Sequence, residues 1–146
     1  MSAFTKVKTV LKDLNKVKKA LVAMGWAEEK IEVHDKPAKL NGYHNNNNEA
    51  HLIIRRKHLG PHAYNDIGFL QQADGSVQAI VGDYNERTGG MRGQHGHMEG
   101  TWLKTLSQEY SLVSVEEELQ MQGYFIENVE RSTDGKIYVS AENPLL

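Results

Sequence analysis

The sequence predicts an α+β fold: a mainly antiparallel sheet of about six strands with two helices on one face, in the order β-α-β-β-β-β-α-β-β. Three observations lead there. Short runs with a period of two adjoin one another across Asp-Gly turn signals, at Asp74-Gly75 and again at Asp134-Gly135. Two longer stretches, opening near Asp13 and Thr101, carry apolar residues at helical spacing. Strands joined by tight turns must run antiparallel, which excludes a parallel doubly wound sheet.

Phe4 to Leu11 alternates Thr5, Val7, Thr9 and Leu11 against Phe4, Lys6 and Lys8, the period of a half-buried strand. Asp13 then caps a helix on which Leu14, Val17, Leu21 and Met24 share a face, and Gly25 supplies its stop. "IEVHDKPAKL" is strand-like up to Pro37, whose missing N–H demands an edge position or a bulge. The polar stretch from Asn41 to Asn48, with an Asn-Gly pair and four consecutive asparagines, reads as a long hairpin connection, because asparagine tolerates left-handed backbone. His51 to Arg56 is the next strand, and "NDIGFLQQADGSVQAIVGDY" holds two more.

Asn85 to Gly100, "NERTGGMRGQHGHMEG", has five glycines and little apolar content and reads as a flexible loop. Thr101 looks like a helix cap, followed by Trp102, Leu103, Leu106 and Tyr110 on one face and by Leu112, Val115 and Leu119 up to Gly123. Ser111 to Ser114 suggests a break, since serine is a mediocre helix former. A last hairpin follows. The uncovered sheet face is expected to carry lysines, glutamates and asparagines.

The 146 residues are expected to form a single domain, 1–146. The absence of cysteine excludes disulfides, thiolate metal sites and cysteine nucleophiles. The N-terminus lacks the apolar core of a secretory signal and no window reaches membrane-spanning length, so a soluble, cytoplasmic protein without membrane contact is expected. Net charge is -2, with lysines gathered in the first nineteen residues and glutamates in "VEEEL" and "IENVE".

"FTKVKTVLKD", "GYHNNNNEAHLIIRR", "YNDIGF", "ADGSVQAIVGDY", "WLKTLSQEYSLVSVEEELQMQGY" and "STDGKIYVS" fall in this order over nearly the whole chain. In this the sequence resembles the hypothetical chloroplast reading frame thirty-five family, also catalogued as the domain of unknown function twelve fifty-seven. The segment between Asp83 and Trp102 departs from that family's pattern, which is shorter and richer in tryptophan there. The resemblance implies a small α+β protein with no assigned activity or catalytic residues, placed in the plastid stroma if plastid-encoded. It also implies an accessory or adaptor role beside an AAA-type ATPase.

Histidine is the chemistry-bearing residue in excess, at His34, His44, His51, His58, His62, His95 and His97. If the loop is extended, His95, His97 and Glu99 share a face and could ligate a divalent metal, the one cofactor class the sequence suggests. His58 and His62 could add two imidazoles, although histidines in glycine-rich loops are more often solvated. Asp66 is expected to accept backbone hydrogen bonds, with Gly68 letting another backbone come close. A catalytic Asp66 would need a second titrating group, for which Asp83, Glu49 and His62 are the candidates.

"RRKH" from Arg55 to His58 suggests nucleic acid, but strand alternation would divide it between two faces. "GGMRGQHG" lacks the lysine-serine ending of a phosphate-binding loop, and no nucleophile elbow is present. A non-enzymatic accessory protein is the expectation, contacting a protein partner, or a second copy, through the exposed sheet face or through Arg92, Gln94, Tyr64 and Asp66.

Overall fold

A computed structural model describes residues 4–42, 47–59, 65–82 and 102–144. Strand β1 (Phe4–Lys8) leads to helix α1 (Leu14–Ala23), then to β2 (Ile31–Lys39), β3 (Glu49–Ile54), β4 (Ile67–Gln71) and β5 (Val77–Gly82). Helix α2 (Trp102–Met121) and the strands β6 (Phe125–Arg131) and β7 (Ile137–Glu142) complete the described elements. The architecture is α+β with antiparallel pairing throughout.

The expected single sheet is instead two. Five strands form one sheet in the order β1-β5-β4-β3-β2, and β6-β7 forms a separate hairpin. The reason lies in α2, whose 20 residues carry the chain away from the main sheet before the last hairpin begins. β6 and β7 then pack against that helix.

Local chemistry explains the boundaries. Thr9 Oγ1 donates to the Val77 carbonyl and accepts from the Leu11 N–H, which turns the chain and ends β1 at Lys8 rather than at Leu11. Asp13 caps α1 by accepting from the N–H groups of Asn15 and Lys16 at 2.8 and 3.3 Å. At the other end Gly25 has φ of 110°, and the Trp26 and Gly25 N–H groups return to Leu21 and Val22, satisfying carbonyls the helix leaves free. The Tyr124 and Gly123 N–H groups close α2 in the same manner onto Leu119 and Gln120.

α2 has no break at Ser111 to Ser114. Ser111 Oγ donates to the Ser107 carbonyl and Ser107 Oγ to the Leu103 carbonyl, so these hydroxyls bond back within the helix. Pro37 lies where its missing donor predicts, on an edge strand whose pairing with β3 shifts between Val33 and Ala38. The asparagine tract joins the antiparallel pair β2 and β3, as a hairpin connection should, and Leu40 N–H closes it onto the Asn48 carbonyl at 2.9 Å.

The main core lies between the five-stranded sheet and both helices. Val17, Ala20 and Leu21 of α1 and Trp102 and Leu106 of α2 pack on Leu52, Ile54, Ile67, Phe69, Val77, Ala79 and Val81. Phe69 and Trp102 meet with ring centroids 6.0 Å apart, a spacing suited to tilted aromatic pairs. Tyr110 joins the helices: its hydroxyl accepts from the N–H groups of Lys12 and Asp13 at 3.1 and 3.0 Å, where the chain enters α1.

The opposite sheet face is polar only in part, with Lys6, Asn47, Asn48 and Glu49 gathered beside Leu70 and Ile80. Leu40, Ala50, Ile53 and Ile80 form a second buried cluster there. Leu40 folds over Gly68, at which a Cβ would lie 2.9 Å from Leu40 Cδ1 and 2.6 Å from Ala50 Cβ. Side chains, not another backbone, therefore need the glycine. Ala50 shares the face of Ile53 because alternation fails at His51, whose Nδ1 accepts the Gln71 N–H at 3.1 Å.

Candidate functional site

Of the residues the sequence singles out for partner contact or metal, Asp66 and His58 lie within the described residues; Tyr64, Arg92, Gln94, His95, His97 and Glu99 lie outside them, as do Thr101, His62 and Asp83. Among the described residues no group of three or more His, Asp or Glu side chains is arranged to hold a metal ion. Glu49 is exposed at the start of β3.

Asp66 is buried, and both of its carboxylate oxygens are engaged. Oδ2 accepts from the Asn41 N–H at 2.7 Å and from Arg55 Nη1 at 2.9 Å, while Oδ1 accepts from the Arg56 N–H at 2.7 Å. Its own N–H returns to the Asn41 carbonyl. The expected backbone-binding carboxylate is therefore present, joining the chain after β2, after β3 and before β4. Arg55 also grips Glu32 through both Nε and Nη2, at 2.8 and 2.9 Å, and reaches the Lys39 carbonyl. His34 Nε2 stands 2.9 Å from Glu32 Oε1.

The Arg55 hydrogen bonds hold the Glu32 carboxyl down to about 2, against the opposing pull of partial burial, and His34 adds to the lowering. Arg55 is raised above its ordinary value chiefly by the Glu32 bond. This network lines an open depression of about 420 Å³ with Asn41, Arg56 and Lys57. Since Arg55 is already matched by two carboxylates, the network fits a clamp on loop geometry better than a ligand site. Arg56 to His58 leave the strand for a 3-10 turn, so the sequence-based division of "RRKH" between strand faces does not apply. Burial and the neighbouring Lys57 charge lower the His58 pKa.

A larger depression, about 670 Å³, lies over α1 among Lys16, Lys18 and Lys19. Lys18 is paired with Glu28 and Lys19 with Glu117, each at 3.1 Å, so two of its three cations already have partners.

The hairpin offers a different surface. A groove of about 420 Å³ runs between α2 and β7, lined by Gln108, Ser111, Leu112 and Val115 of the helix and by Gly135, Ile137 and Val139 of the hairpin. No β6 residue borders it. β6 is fastened to α2 instead, through a two-pronged ion pair in which Arg131 Nε and Nη2 meet the Glu109 oxygens at 3.0 Å each. The hairpin's inner residues Ile126, Val129, Ile137, Val139 and Ala141 are only half-buried, and Phe125, Tyr138 and Met121 are exposed. A two-stranded sheet with a partly covered apolar face is marginal alone, and this one gains support from α2 along one side.

Sequence reading missed both arrangements. Glu32 and Arg55 meet only because β2 and β3 pair Glu32 with Ile53. The groove exists only because the last hairpin leaves the main sheet.

No curated protein and no solved structure matches the chain. No described helix is long and apolar enough to cross a membrane. A family described as a protein of unknown function, DUF1257, matches residues 26–140, from the end of the α1 stop through most of β7 and excluding β1 and α1. The match is narrower than the near-complete resemblance read from the sequence, yet it takes in the Asp66 clamp, α2 and nearly all of the hairpin, and the chain belongs to this family of unknown function.

Proposed function

We propose that the protein is an accessory factor that works by protein contact, with the β7 side of the terminal hairpin and the adjoining face of α2 as its docking surface. The observation that carries this reading is the groove itself. Leu112, Val115, Ile137 and Val139 present apolar side chains beside a strand that pairs with β6 alone among the described residues. Addition of an extended segment to such an edge supplies backbone hydrogen bonds, while the groove receives alternate side chains.

The finer resemblance, to hypothetical chloroplast reading frame thirty-five, brings a plastid or cyanobacterial-type setting and makes an AAA-type ATPase the first partner class to test. Metal binding by His95, His97 and Glu99 and contacts through Arg92, Gln94 and Tyr64 have no support from the described geometry.

The test is capture from lysate of the protein's own source by three tagged full-length baits: wild type, Val139→Pro and Lys57→Ala. The reading predicts a stoichiometric protein retained by wild type and Lys57→Ala and lost from Val139→Pro. Equal retention by all three baits, or none by wild type, contradicts it. Val139→Pro removes an edge N–H, a change that edge strands tolerate.

A further inference from the structure

Among the described residues the two sheets have four outer strands, and three are guarded against strand addition. β1 carries the exposed Lys6 at the centre of its five residues. β2 contains Asp35, Lys36, Pro37 and Lys39 and an irregular pairing. β6 carries Glu127, Glu130 and Arg131 and a register shift between Ile126 and Asn128. Lysine, proline, charge and bulges are the ordinary devices that stop an edge from pairing with another chain. β7, "IYVSAE", has none of them before its final glutamate.

Its backbone is also suitably aimed. Lys136 turns its carbonyl toward β6, accepting the Ser132 N–H at 2.9 Å. N–H and C=O groups alternate sides along a strand, so those of Ile137 and Val139 point away from β6, on the side where no described strand pairs. The groove beside α2 lies along this edge.

We infer that the occupant of the β7 edge is a second copy of this chain, paired β7 to β7 in antiparallel register about a two-fold axis through Val139. Charge complementarity selects that register. With Val139 opposite Val139, Ile137 falls opposite Ala141, Tyr138 opposite Ser140, and Lys136 opposite Glu142, every heterologous pair occurring twice by symmetry. A register centred one residue later sets Glu142 against Tyr138 and leaves Lys136 without an anion across the interface.

Glu142 has a reason to take such a cation. It stands against Glu127 across the hairpin, and their mutual hydrogen bond and repulsion raise the Glu127 pKa. No cation among the described residues pairs with either carboxylate, and Lys136 has only a 4.0 Å contact with Asp134. The result is a four-stranded sheet with an α2 helix along each half. The inference rests on the docking surface proposed above and names its occupant.

Sedimentation equilibrium of the full chain, from about 1 μM to about 100 μM, tests it. Wild type is expected to be a monomer–dimer system. Lys136→Glu alone and Glu142→Lys alone each replace two attractive cross-strand pairs with repulsive ones and should weaken dimerisation roughly tenfold. The double variant restores opposite charges and should return within about threefold of wild type. A monomer over the whole range, or a dimer that ignores the charge reversals, or a double variant no better than the singles, overturns the inference. A monomeric chain whose partner capture still depends on Val139 overturns self-pairing and leaves the docking surface standing. A charge-dependent dimer with no Val139-dependent partner upholds self-pairing and removes the foreign partner.

Discussion

Arg131 meets Glu109 through two parallel hydrogen bonds of 3.0 Å, and this pair fastens β6 to α2. Glu109 is largely buried while Arg131 is half exposed, so the carboxylate depends on the guanidinium more than the reverse. Arg131→Ala should therefore cost about 1–2 kcal/mol, below the value for a wholly buried pair because solvent screens the arginine. Urea unfolding reads the loss, and amide exchange should quicken in β6 and β7 before it does in the main sheet.

Asp66 is a heavier fastening. Removing its carboxylate strips an acceptor from two backbone N–H groups and one of the two anions matched to Arg55. Asp66→Ala should lower stability by about 3–5 kcal/mol. Asp66→Asn, which keeps one oxygen acceptor, should lose less in the same urea titration.

Acid should act on the Glu32–Arg55 bond within a definite window. The folded Glu32 carboxyl is lowered from 4.5 to about 2, so its contribution is complete above about pH 4.5 and is lost as pH falls toward 2. Urea midpoints measured through this range should decline, and Glu32→Gln should flatten that part of the decline. An unchanged slope in the variant would assign the acid sensitivity to other carboxylates.

Gly68→Ala should be destabilising by about 1–3 kcal/mol through overpacking. Its new methyl group would lie 2.6 Å from Ala50 Cβ, nearer than such atoms approach. Ala50→Gly in the same chain should relieve part of the cost. Thermal unfolding of the two single variants and the double variant measures the coupling.

What the sequence makes legible is local. Asp13, Gly25, Pro37, Gly75, Gly123 and Gly135 act through their own backbone or their nearest neighbours, and each lies where its chemistry leads one to expect. The Asp66 carboxylate was legible as a backbone acceptor for the same reason. Arg55 and Glu32 were not, because 23 positions separate them and an irregular β2 sets their register. That Ala50 shares a face with Ile53 was not legible, because strict alternation takes no account of the His51 ring bonding to Gln71. The hairpin was assigned to the main sheet because period-two runs reveal a strand without revealing its neighbour.

The central claim is that β7 is a contact edge, and amide exchange along that strand tests it most directly. In dilute solution, with the edge open, Ile137 and Val139 N–H groups should exchange much faster than Tyr138 and Ser140, which face β6. Raising the protein concentration should slow Ile137 and Val139 selectively. Equal protection of all four amides at every concentration would show that this edge is not where the protein makes its contacts.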